Sequence, residues 1–314
     1  MAENLEHLFQ GFSKLSREER LLRLKSMANL SDHDLAVLEG KEPFDLNLAE
    51  NFIENVVGYF PMPLGIAAYF NIDGRDVAIP MAVEETSIVA AASASAKWIK
   101  SMDGYIRTSM LGRYIIGQVQ FPTVSDPRKV EKVIGENREL LLTRANEAVP
   151  GLVKRGGGVE DLRLRCIQRP EGGEMLVLHV LCDPCDAMGA NLINQVCESL
   201  KPVLEKITGE QVGLCILSNL VDTKLTRAEV RIPNVDPVVA LGIEEASIFA
   251  ELDPYRATTH NKGVLNGIDP IVIATGNDWR AVEAGVHAYA ARSGTYRPIS
   301  TWRLAGTELV GRLQ

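Results

Sequence analysis

The segment from about residue 103 to residue 222 alternates strand and helix patterns in an order that few folds accommodate. The predicted elements are strand, helix, strand, strand, helix and strand, at 113–121, 126–148, 160–168, 174–182, 186–207 and 212–220. This β-α-β-β-α-β order is typical of the ferredoxin-like arrangement. We therefore predict a compact small domain at 103–222, inserted within a larger one.

The chain before this segment has mainly helical patterns. Ser16 and Glu19 fit a capping box, and residues 84–100 predict a helix lined by small apolar side chains. A hairpin is predicted around the turn at residues 71–74, which contains Asp-Gly.

After the inserted segment, the predicted elements are a strand, a helix, a polar stretch, an apolar strand and a helix, at 227–233, 238–252, 253–270, 271–275 and 278–292. The sequence thus predicts an α+β fold. Its large, mainly helical domain is discontinuous and combines residues 1–102 with residues 223–314.

Composition and charge narrow the possible functions. The net charge of -8 opposes nucleic-acid binding, which needs a basic surface. An apolar run long enough to span a membrane is absent from the sequence, and the acidic N-terminus is unlike a signal peptide. Five cysteines, an odd number, indicate reduced thiols. We predict a cytoplasmic protein.

The common cofactor signatures are missing. The sequence contains no G-x-G-x-x-G, no G-x-x-x-x-G-K-[ST] and no H-E-x-x-H motif. A dinucleotide would therefore bind without the Rossmann fingerprint. We predict no metal site.

The stretch LVLHVLCDPCDAMGAN runs from a predicted strand through a turn into a helix. Backbone N–H groups at such a helix start can bind a diphosphate, and Gly189 would allow it to approach closely. The alternative is that Asp186 is an ordinary N-cap and Gly189 a packing residue.

Cys182 and Cys185 form a C-x-x-C motif in the same turn. A helix N-terminus lowers a thiol pKa, so a thiol-disulfide oxidoreductase is one interpretation. Two buried cysteines at a strand end are the other. A zinc site would need a second pair of ligands, and the sequence offers none.

Two short motifs carry candidate catalytic groups. Glu85 shares a predicted helical stripe with Ile88 and Ala92, and its burial would raise its pKa and suit it to proton donation. The alternative is an acid placed favourably in a first helical turn. Lys262 lies among hydrogen-bond donors in ATTHNKG, a composition that suits a developing oxyanion or an ordinary polar loop.

Two further segments are ambiguous when taken alone. Asp278 follows an apolar segment and starts a predicted helix, which is the usual place of a structural N-cap. Residues 154–158, Lys-Arg-Gly-Gly-Gly, form a basic loop that could bind a phosphate or simply connect two elements.

Taken together and in order, these motifs resemble the class II 3-hydroxy-3-methylglutaryl-CoA (HMG-CoA) reductases. The likeness covers the chain from about residue 45. It is carried by ENVVG, GRDVAIPMAVEETSIVAAAS, DAMGAN, ILSNLVD, DPYRATTHNKGVLNGIDP and ATGNDWRAVEAG, at residues 54–58, 74–93, 186–191, 216–222, 253–270 and 274–285.

The resemblance implies interconversion of HMG-CoA and mevalonate plus CoA by two hydride transfers. Lys262 matches the family's catalytic lysine, which neutralises the thioester oxyanion. Glu85 matches the glutamate that donates a proton, and Asp278 matches the aspartate between them. The substrate-binding residues implied by the family are Ser87, Arg256, Asn266 and Asn219.

The family's dinucleotide-binding loop corresponds to Asp186, Met188, Gly189 and Asn191, so the small domain is implied to bind NADPH or NADH. NAD-preferring relatives carry an aspartate before the triple glycine. Val149 lies near that position here, and Lys154 and Arg155 follow it, which favours NADPH or dual use.

The loop with Glu54, Asn55 and Gly58 contributes to the CoA side in the family, whose sites lie across a dimer interface. A homodimer or a higher homo-oligomer is therefore implied, with no nucleic-acid or membrane partner.

Besides the residues near the triple glycine that bear on cofactor choice, the resemblance has a second departure. The sequence ends at Gln314, whereas family members continue into a flap whose histidine protonates the departing CoA thiolate. We expect severely reduced turnover compared with that of a longer chain, and an exposed apolar surface where the missing helices would pack. The alternatives are a disulfide oxidoreductase using Cys182 and Cys185, and a catalytically impaired CoA- or nucleotide-binding fragment.

Overall fold

The computed structural model describes residues 9–42 and 45–314. It divides the chain into two compact units. The first comprises residues 1–108, 228–279 and 300–313, and the second comprises 109–227, 280–299 and 314. The domain boundaries drawn from the sequence remain a prediction. The acidic N-terminus discussed above lies mostly outside the described residues.

The described helices follow the chain in a regular series after a short 3-10 turn. They are α1 (Arg17–Ala28), α2 (Asp32–Glu39), α3 (Leu46–Glu50), α4 (Ile88–Ser101), α5 (Pro127–Glu136), α6 (Arg138–Glu147), α7 (Pro150–Val153), α8 (Ala190–Thr208), α9 (Pro237–Leu252), α10 (Pro254–Ala274) and α11 (Trp279–Ala290). Within the described ranges, no helix is long and apolar enough to cross a membrane.

The strands form two sheets. They are β1 (Leu64–Ile72), β2 (Arg75–Ala82), β3 (Tyr105–Gly112), β4 (Ile115–Phe121), β5 (Gly158–Gln168), β6 (Glu174–Asp183), β7 (Cys215–Leu217), β8 (Lys224–Pro233), β9 (Ser300–Ala305) and β10 (Glu308–Leu313). The fold is therefore mixed α and β.

A six-stranded sheet in the order β2-β1-β3-β8-β10-β9 runs through the first unit. The predicted hairpin is confirmed, because β1 and β2 pair antiparallel around Asp73 and Gly74. Both turn residues have positive φ, 52° and 78°, which the right-handed twist of a two-residue hairpin requires. The large domain thus contains more strand than its mainly helical pattern indicated.

The predicted capping box at the start of α1 is also confirmed. The Ser16 hydroxyl accepts the backbone N–H of Glu19 at 3.2 Å, and the Glu19 carboxylate accepts that of Ser16 at 2.8 Å. These two bonds satisfy donors that the first helical turn leaves unpaired.

The second unit has a four-stranded sheet in the order β5-β6-β4-β7, with every neighbouring pair antiparallel. Helices α5, α6 and α8 pack on one face. The core between sheet and helices is fully buried at Val119, Leu178, Val180, Leu200 and Leu204.

Helix α8 lies directly on β4 at Gly117. A β-carbon at this position would stand 2.3 Å from the Cys197 Sγ and 2.7 Å from the Ile193 Cγ1. Both neighbours are fully buried in the same core. Glycine at position 117 therefore sets how closely the helix approaches the sheet.

Several predicted boundaries were wrong. The helix predicted at 126–148 is two helices, α5 and α6, separated at Asn137. The helix predicted from residue 186 begins at Ala190, and the strand predicted at 212–220 is confined to Cys215–Leu217.

The polar stretch 253–270 and the apolar strand at 271–275 were predicted wrongly, because nearly all of both segments belongs to α10. Asp253 starts this helix: its carboxylate accepts the backbone N–H groups of Tyr255 and Arg256 at 3.3 and 3.2 Å. Pro254 occupies the first helical position, where its missing N–H has no cost.

Candidate active site

An ion pair joins the two principal catalytic candidates. The Lys262 Nζ lies 3.1 Å from the Glu85 Oε2, although the two residues are 177 positions apart in the chain. Lys262 projects from α10, which packs against β2, and Glu85 follows β2. Their side chains are 62% and 52% exposed. A pair this exposed stabilises a fold by only about 0–1 kcal/mol, so both groups remain accessible to a ligand.

The predicted burial of Glu85 was wrong. Glu85 belongs to a turn after β2 and not to a helix, since α4 begins only at Ile88. The reason is Ser87, whose φ of 72° is left-handed and interrupts the helical pattern. Glu85 therefore leaves the apolar stripe and turns toward Lys262.

Ser87 is itself strained. A non-glycine residue in the left-handed region costs about 1–3 kcal/mol, and such residues concentrate at functional sites. Ser87 occupies the N-cap position of α4, yet its side chain makes no capping hydrogen bond. Its exposed hydroxyl is thus available for another partner.

Helix α10 carries three of the predicted residues. Lys262 and Asn266 are four positions apart and share one face of the helix. Arg256 lies in the first turn and is half-buried, as is Asn266. The helix presents a guanidinium, an ammonium and an amide from one continuous element.

His260, on the same helix, is kept neutral. Burial, together with the nearby Arg256 charge, lowers the pKa of its imidazole. Its Nε2 lies 2.7 Å from the Ser300 hydroxyl. Near neutral pH, this histidine therefore adds no positive charge beside Lys262.

Asp278 occupies the position immediately before α11 and is half-buried. It lies in the first unit with Glu85 and Lys262. Its membership of their pair remains a prediction.

The predicted CoA-side residues lie in an exposed loop. Glu54, Asn55 and Gly58 are all on the surface, and Asn55 has a φ of 57°. The surrounding segment exposes large apolar side chains, namely Leu46, Leu48, Phe52, Ile53, Val57 and Phe60. This concentration of exposed apolar surface is unusual for a surface that faces only water.

In the second unit, the predicted nucleotide-binding loop ends at the start of α8. Gly189 is the N-cap residue, with a φ of 85° and no side chain to cap the helix. Asp186 is therefore not the N-cap, so that part of the alternative was wrong, whereas Gly189 does pack closely against its neighbours. The first backbone N–H groups of α8 lack a side-chain cap, which is the arrangement that binds phosphate.

The side chains around this helix start are accessible. Asp186, Met188 and Asn191 are exposed, with Met188 67% exposed. Gly189 is buried, and a β-carbon there would lie 2.6 Å from the Ile115 Cδ1. Only glycine fits this combination of positive φ and close packing.

Asn219 follows β7 and is exposed. The neighbouring Ser218 is anchored, since its backbone N–H donates to the Ile116 carbonyl at 2.9 Å. Gly285 of α11 packs on the same loop, where an added β-carbon would lie 2.8 Å from the Asn219 carbonyl oxygen. Sequence reasoning missed this contact, although a glycine in the middle of a helix was a usable signal.

The C-x-x-C motif lacks the features of a redox site. Cys182 is fully buried, and burial raises the pKa of its thiol to about 12. A reactive thiol needs a lowered pKa, so the predicted effect of the helix start was wrong. The physical reason is that α8 begins only at Ala190, beyond both cysteines.

Replacing Cys182 with alanine is expected to leave the catalytic rate of the chain within about twofold of the parent, because an inert thiol contributes only packing. Steady-state kcat measured with and without dithiothreitol tests this. Loss of activity that tracks the redox state of the buffer would restore the oxidoreductase alternative.

Among residues 9–42 and 45–314, no three His, Cys, Asp or Glu side chains are grouped to hold an ion.

Taken together, an accessible lysine–glutamate pair and an uncapped helix start at a close-packed glycine are typical of one class of protein. This class comprises enzymes that bind an anionic cofactor and stabilise a developing oxyanion.

Comparison with known proteins identifies the family. The family model described as hydroxymethylglutaryl-coenzyme A reductase matches residues 16–314. The Archaeoglobus fulgidus 3-hydroxy-3-methylglutaryl-coenzyme A reductase is 45% identical over 299 residues, which cover 94% of this chain and 67% of that protein. A probable reductase of the same name from Borreliella burgdorferi is 34% identical, covering 99% of this chain and 73% of its own length.

A solved structure agrees with these sequences. The class II 3-hydroxy-3-methylglutaryl-CoA reductase from Streptococcus pneumoniae, bound to NADPH in open conformations, is 42% identical. It superposes with a TM-score of 0.92 over 97% of this chain and 85% of that chain. The chain belongs to the hydroxymethylglutaryl-coenzyme A reductase family and is an oxidoreductase.

Proposed function

We propose that this chain interconverts HMG-CoA and mevalonate plus CoA by two hydride transfers with NADPH or NADH, using Lys262, Glu85 and Asp278. One observation carries the residue assignment: the Lys262–Glu85 pair at 3.1 Å. The two residues of this pair come from two distant sequence motifs, each of which is ambiguous when taken alone.

Lys262 provides the positive charge that the first reduction requires. Hydride addition to the thioester carbon places negative charge on the carbonyl oxygen, and a fixed cation lowers the energy of that state. The Lys262 ammonium is held by Glu85 yet 62% exposed, so an incoming carbonyl oxygen can reach it.

Glu85 donates the proton in the second reduction, when the aldehyde intermediate becomes an alcohol. A proton donor must lie within hydrogen-bonding reach of the developing alkoxide. Glu85 contacts the ammonium that we assign to that oxygen, which supports this role for Glu85 in its protonated, carboxylic acid form. Asp278 is proposed to complete the cluster from the position before α11.

The other substrate contacts follow from chemistry and placement. Arg256 is suited to the free carboxylate of the substrate, which a guanidinium binds with two parallel hydrogen bonds. Ser87, with its uncapped hydroxyl, and Asn266 are assigned to the same end of the acyl group. Asn219 is assigned to the reacting carbonyl.

The nucleotide is assigned to the second unit, which we propose is a ferredoxin-like domain inserted at 103–222. The antiparallel order β5-β6-β4-β7 supports this assignment. The fit to a dinucleotide rests on the start of α8 at Gly189, where no side chain caps the first backbone N–H groups and a diphosphate could accept their hydrogen bonds. When bound, the cofactor supplies hydride.

The chain's own residues would orient that cofactor. Asn191 and Asp186 are exposed and are assigned to polar groups of the nucleotide, and Met188 offers an exposed apolar side chain. Lys154 and Arg155 favour NADPH or dual use, because cations bind the 2′-phosphate that NADH lacks. The NADPH-bound pneumococcal relative supports this choice.

A homodimer or higher homo-oligomer is proposed from the exposed apolar segment around Glu54 and Asn55. Phe60 is 91% exposed in the isolated chain, and Phe52 is 73% exposed. Burial of such side chains between subunits would remove their contact with water. The loop proposed for the CoA side would then lie at the subunit interface.

Product stoichiometry tests the proposed function. Incubation with HMG-CoA is expected to consume two molecules of NADPH for each free CoA thiol released and each mevalonate formed. Absorbance at the nicotinamide band, thiol titration and mass spectrometry measure the three quantities in one single-turnover reaction. Tight cofactor and CoA binding without any mevalonate would instead indicate a non-catalytic binding protein.

A further inference from the structure

Two loops of the second unit pack against each other at a glycine. The basic glycine loop is residues 154–158, and the nucleotide loop is residues 183–189. A β-carbon on Gly157 would lie 2.5 Å from the Asp183 carbonyl oxygen and 2.8 Å from the Cys185 Sγ. Real side chains do not approach backbone this closely, so the contact exists only because position 157 has no side chain.

Cys185 also joins the same two loops. Its thiol donates a hydrogen bond to the Arg155 carbonyl at 3.8 Å, and its backbone N–H donates to the Asp183 Oδ1 at 2.9 Å. Its φ of 52° is left-handed, so the turn is held in a conformation that cysteine rarely adopts. The thiol therefore serves as a bridge between the loops.

The nucleotide loop is in turn anchored to the sheet. The Asp183 Oδ2 lies 3.4 Å from the Arg113 Nε, and Arg113 donates to both carboxylate oxygens of Glu160 at 2.7 Å. These charged side chains join the nucleotide loop to β5, although the exposure of Arg113 and Glu160 limits the stability that each pair contributes.

The contacts of Gly157 and Cys185, called the clamp below, join the nucleotide loop to the basic glycine loop, which carries two cations. Lys154 and Arg155 are both exposed, and neither forms an ion pair in the part of the chain that the structure describes. The Arg155 carbonyl accepts a hydrogen bond from the Cys185 thiol. This contact ties the backbone next to Lys154 and Arg155 to the nucleotide loop.

We infer that Gly157 and Cys185 are positioning residues that hold Lys154 and Arg155 where the 2′-phosphate of NADPH binds. This inference rests on the proposed function, and it gives the C-x-x-C motif a structural role in cofactor choice. Both residues are proposed to act through the two loops that they join. Loosening the clamp should therefore weaken binding of the 2′-phosphate selectively, while the diphosphate site at Gly189 keeps its geometry.

Equilibrium binding of nucleotides tests this without any turnover. Gly157→Ala is expected to raise the Kd for NADPH and for 2′,5′-ADP about 10-fold, the effect of losing one charge-assisted hydrogen bond. The Kd for NADH and for 5′-ADP should stay within about twofold, since neither ligand carries the 2′-phosphate. Calorimetry or intrinsic fluorescence measures all four constants.

Two further variants separate positioning from folding. Gly151→Ala is the matched control, because a β-carbon there meets no atom within 4 Å. Cys185→Ala should reproduce the selective loss, and Cys185→Ser, which keeps a donor for the Arg155 carbonyl, should restore part of it. If Gly157→Ala fails to fold, the comparison of Cys185→Ala with Cys185→Ser decides between the two outcomes.

The outcomes distinguish this inference from the proposed function. Equal weakening of NADH and NADPH would show that the clamp only supports the fold. If the parent binds 2′,5′-ADP no tighter than 5′-ADP, the inference fails while the reductase assignment stands. If the parent binds no dinucleotide at all, the proposed function fails as well.

Discussion

Replacement of Lys262 by alanine is expected to lower kcat for HMG-CoA reduction by at least about 100-fold, the usual effect of removing one oxyanion-stabilising group. The Kd for NADPH should change by less than about twofold, since the nucleotide loop is unaltered. The physical reason is that the negative oxygen formed in the first reduction would lose the ammonium that Glu85 holds in place at 3.1 Å. Single-turnover rates with saturating NADPH measure the effect directly.

Lys132→Ala is the matched control for this variant. Lys132 forms an exposed ion pair with Glu136, 3.8 Å long, and its side chain is as accessible as that of Lys262. Loss of an ordinary surface pair should leave kcat unchanged. If the Lys262→Ala enzyme kept more than a third of the parent rate, Lys262 would not be the group that stabilises the oxyanion.

The second large effect is expected on stability. Gly117→Ala should lower the free energy of unfolding by about 1–3 kcal/mol, the range seen when a packed core is overfilled. The added methyl group would meet the Cys197 Sγ at 2.3 Å, and neither the sulfur nor Ile193 can move into solvent. Urea unfolding followed by circular dichroism gives the change.

Gly135→Ala is the matched comparison, and its expected effect on the free energy of unfolding has the opposite sign. Gly135 lies in α5, and a β-carbon there meets nothing within 4 Å. Alanine favours a helix over glycine by about 1 kcal/mol, so this variant should gain stability. Equal stabilities for the two alanine variants would mean that the close approach of α8 to β4 is not limiting.

Local features of the fold could be predicted because neighbouring residues determine them. The Ser16 capping box and the Asp73-Gly74 hairpin are both set by side chains within four positions of each other. The strand predicted at 174–182 likewise differs from β6 by a single residue. Such patterns depend little on tertiary packing.

Helix α10 could not be predicted in this way. Its sequence contains two glycines and an internal proline, Pro270, and its exposed face is polar. Packing against β2 and α9 stabilises it, together with the Asp253 cap. Tertiary contacts commonly override weak helix propensity.

In the candidate site, too, local motifs could be predicted and tertiary contacts could not. Motifs named the residue types, but spacing alone could not bring Glu85 to Lys262 from 177 positions away. Burial of Glu85 was predicted from a helical stripe that Ser87 interrupts. The glycines at 157 and 285 had no visible partner in the sequence, because their partners are backbone carbonyls of distant loops.

The single helix that carries Arg256, Lys262 and Asn266 constrains how this site can change shape. An α-helix is stiff over its six turns, so the backbone positions of these three groups are fixed relative to one another. Backbone adaptation to a bulkier acyl group would then come from segments outside this helix, among them the turn that carries Glu85 and Ser87. Substrate range is therefore expected to depend on these connecting segments more than on the helix.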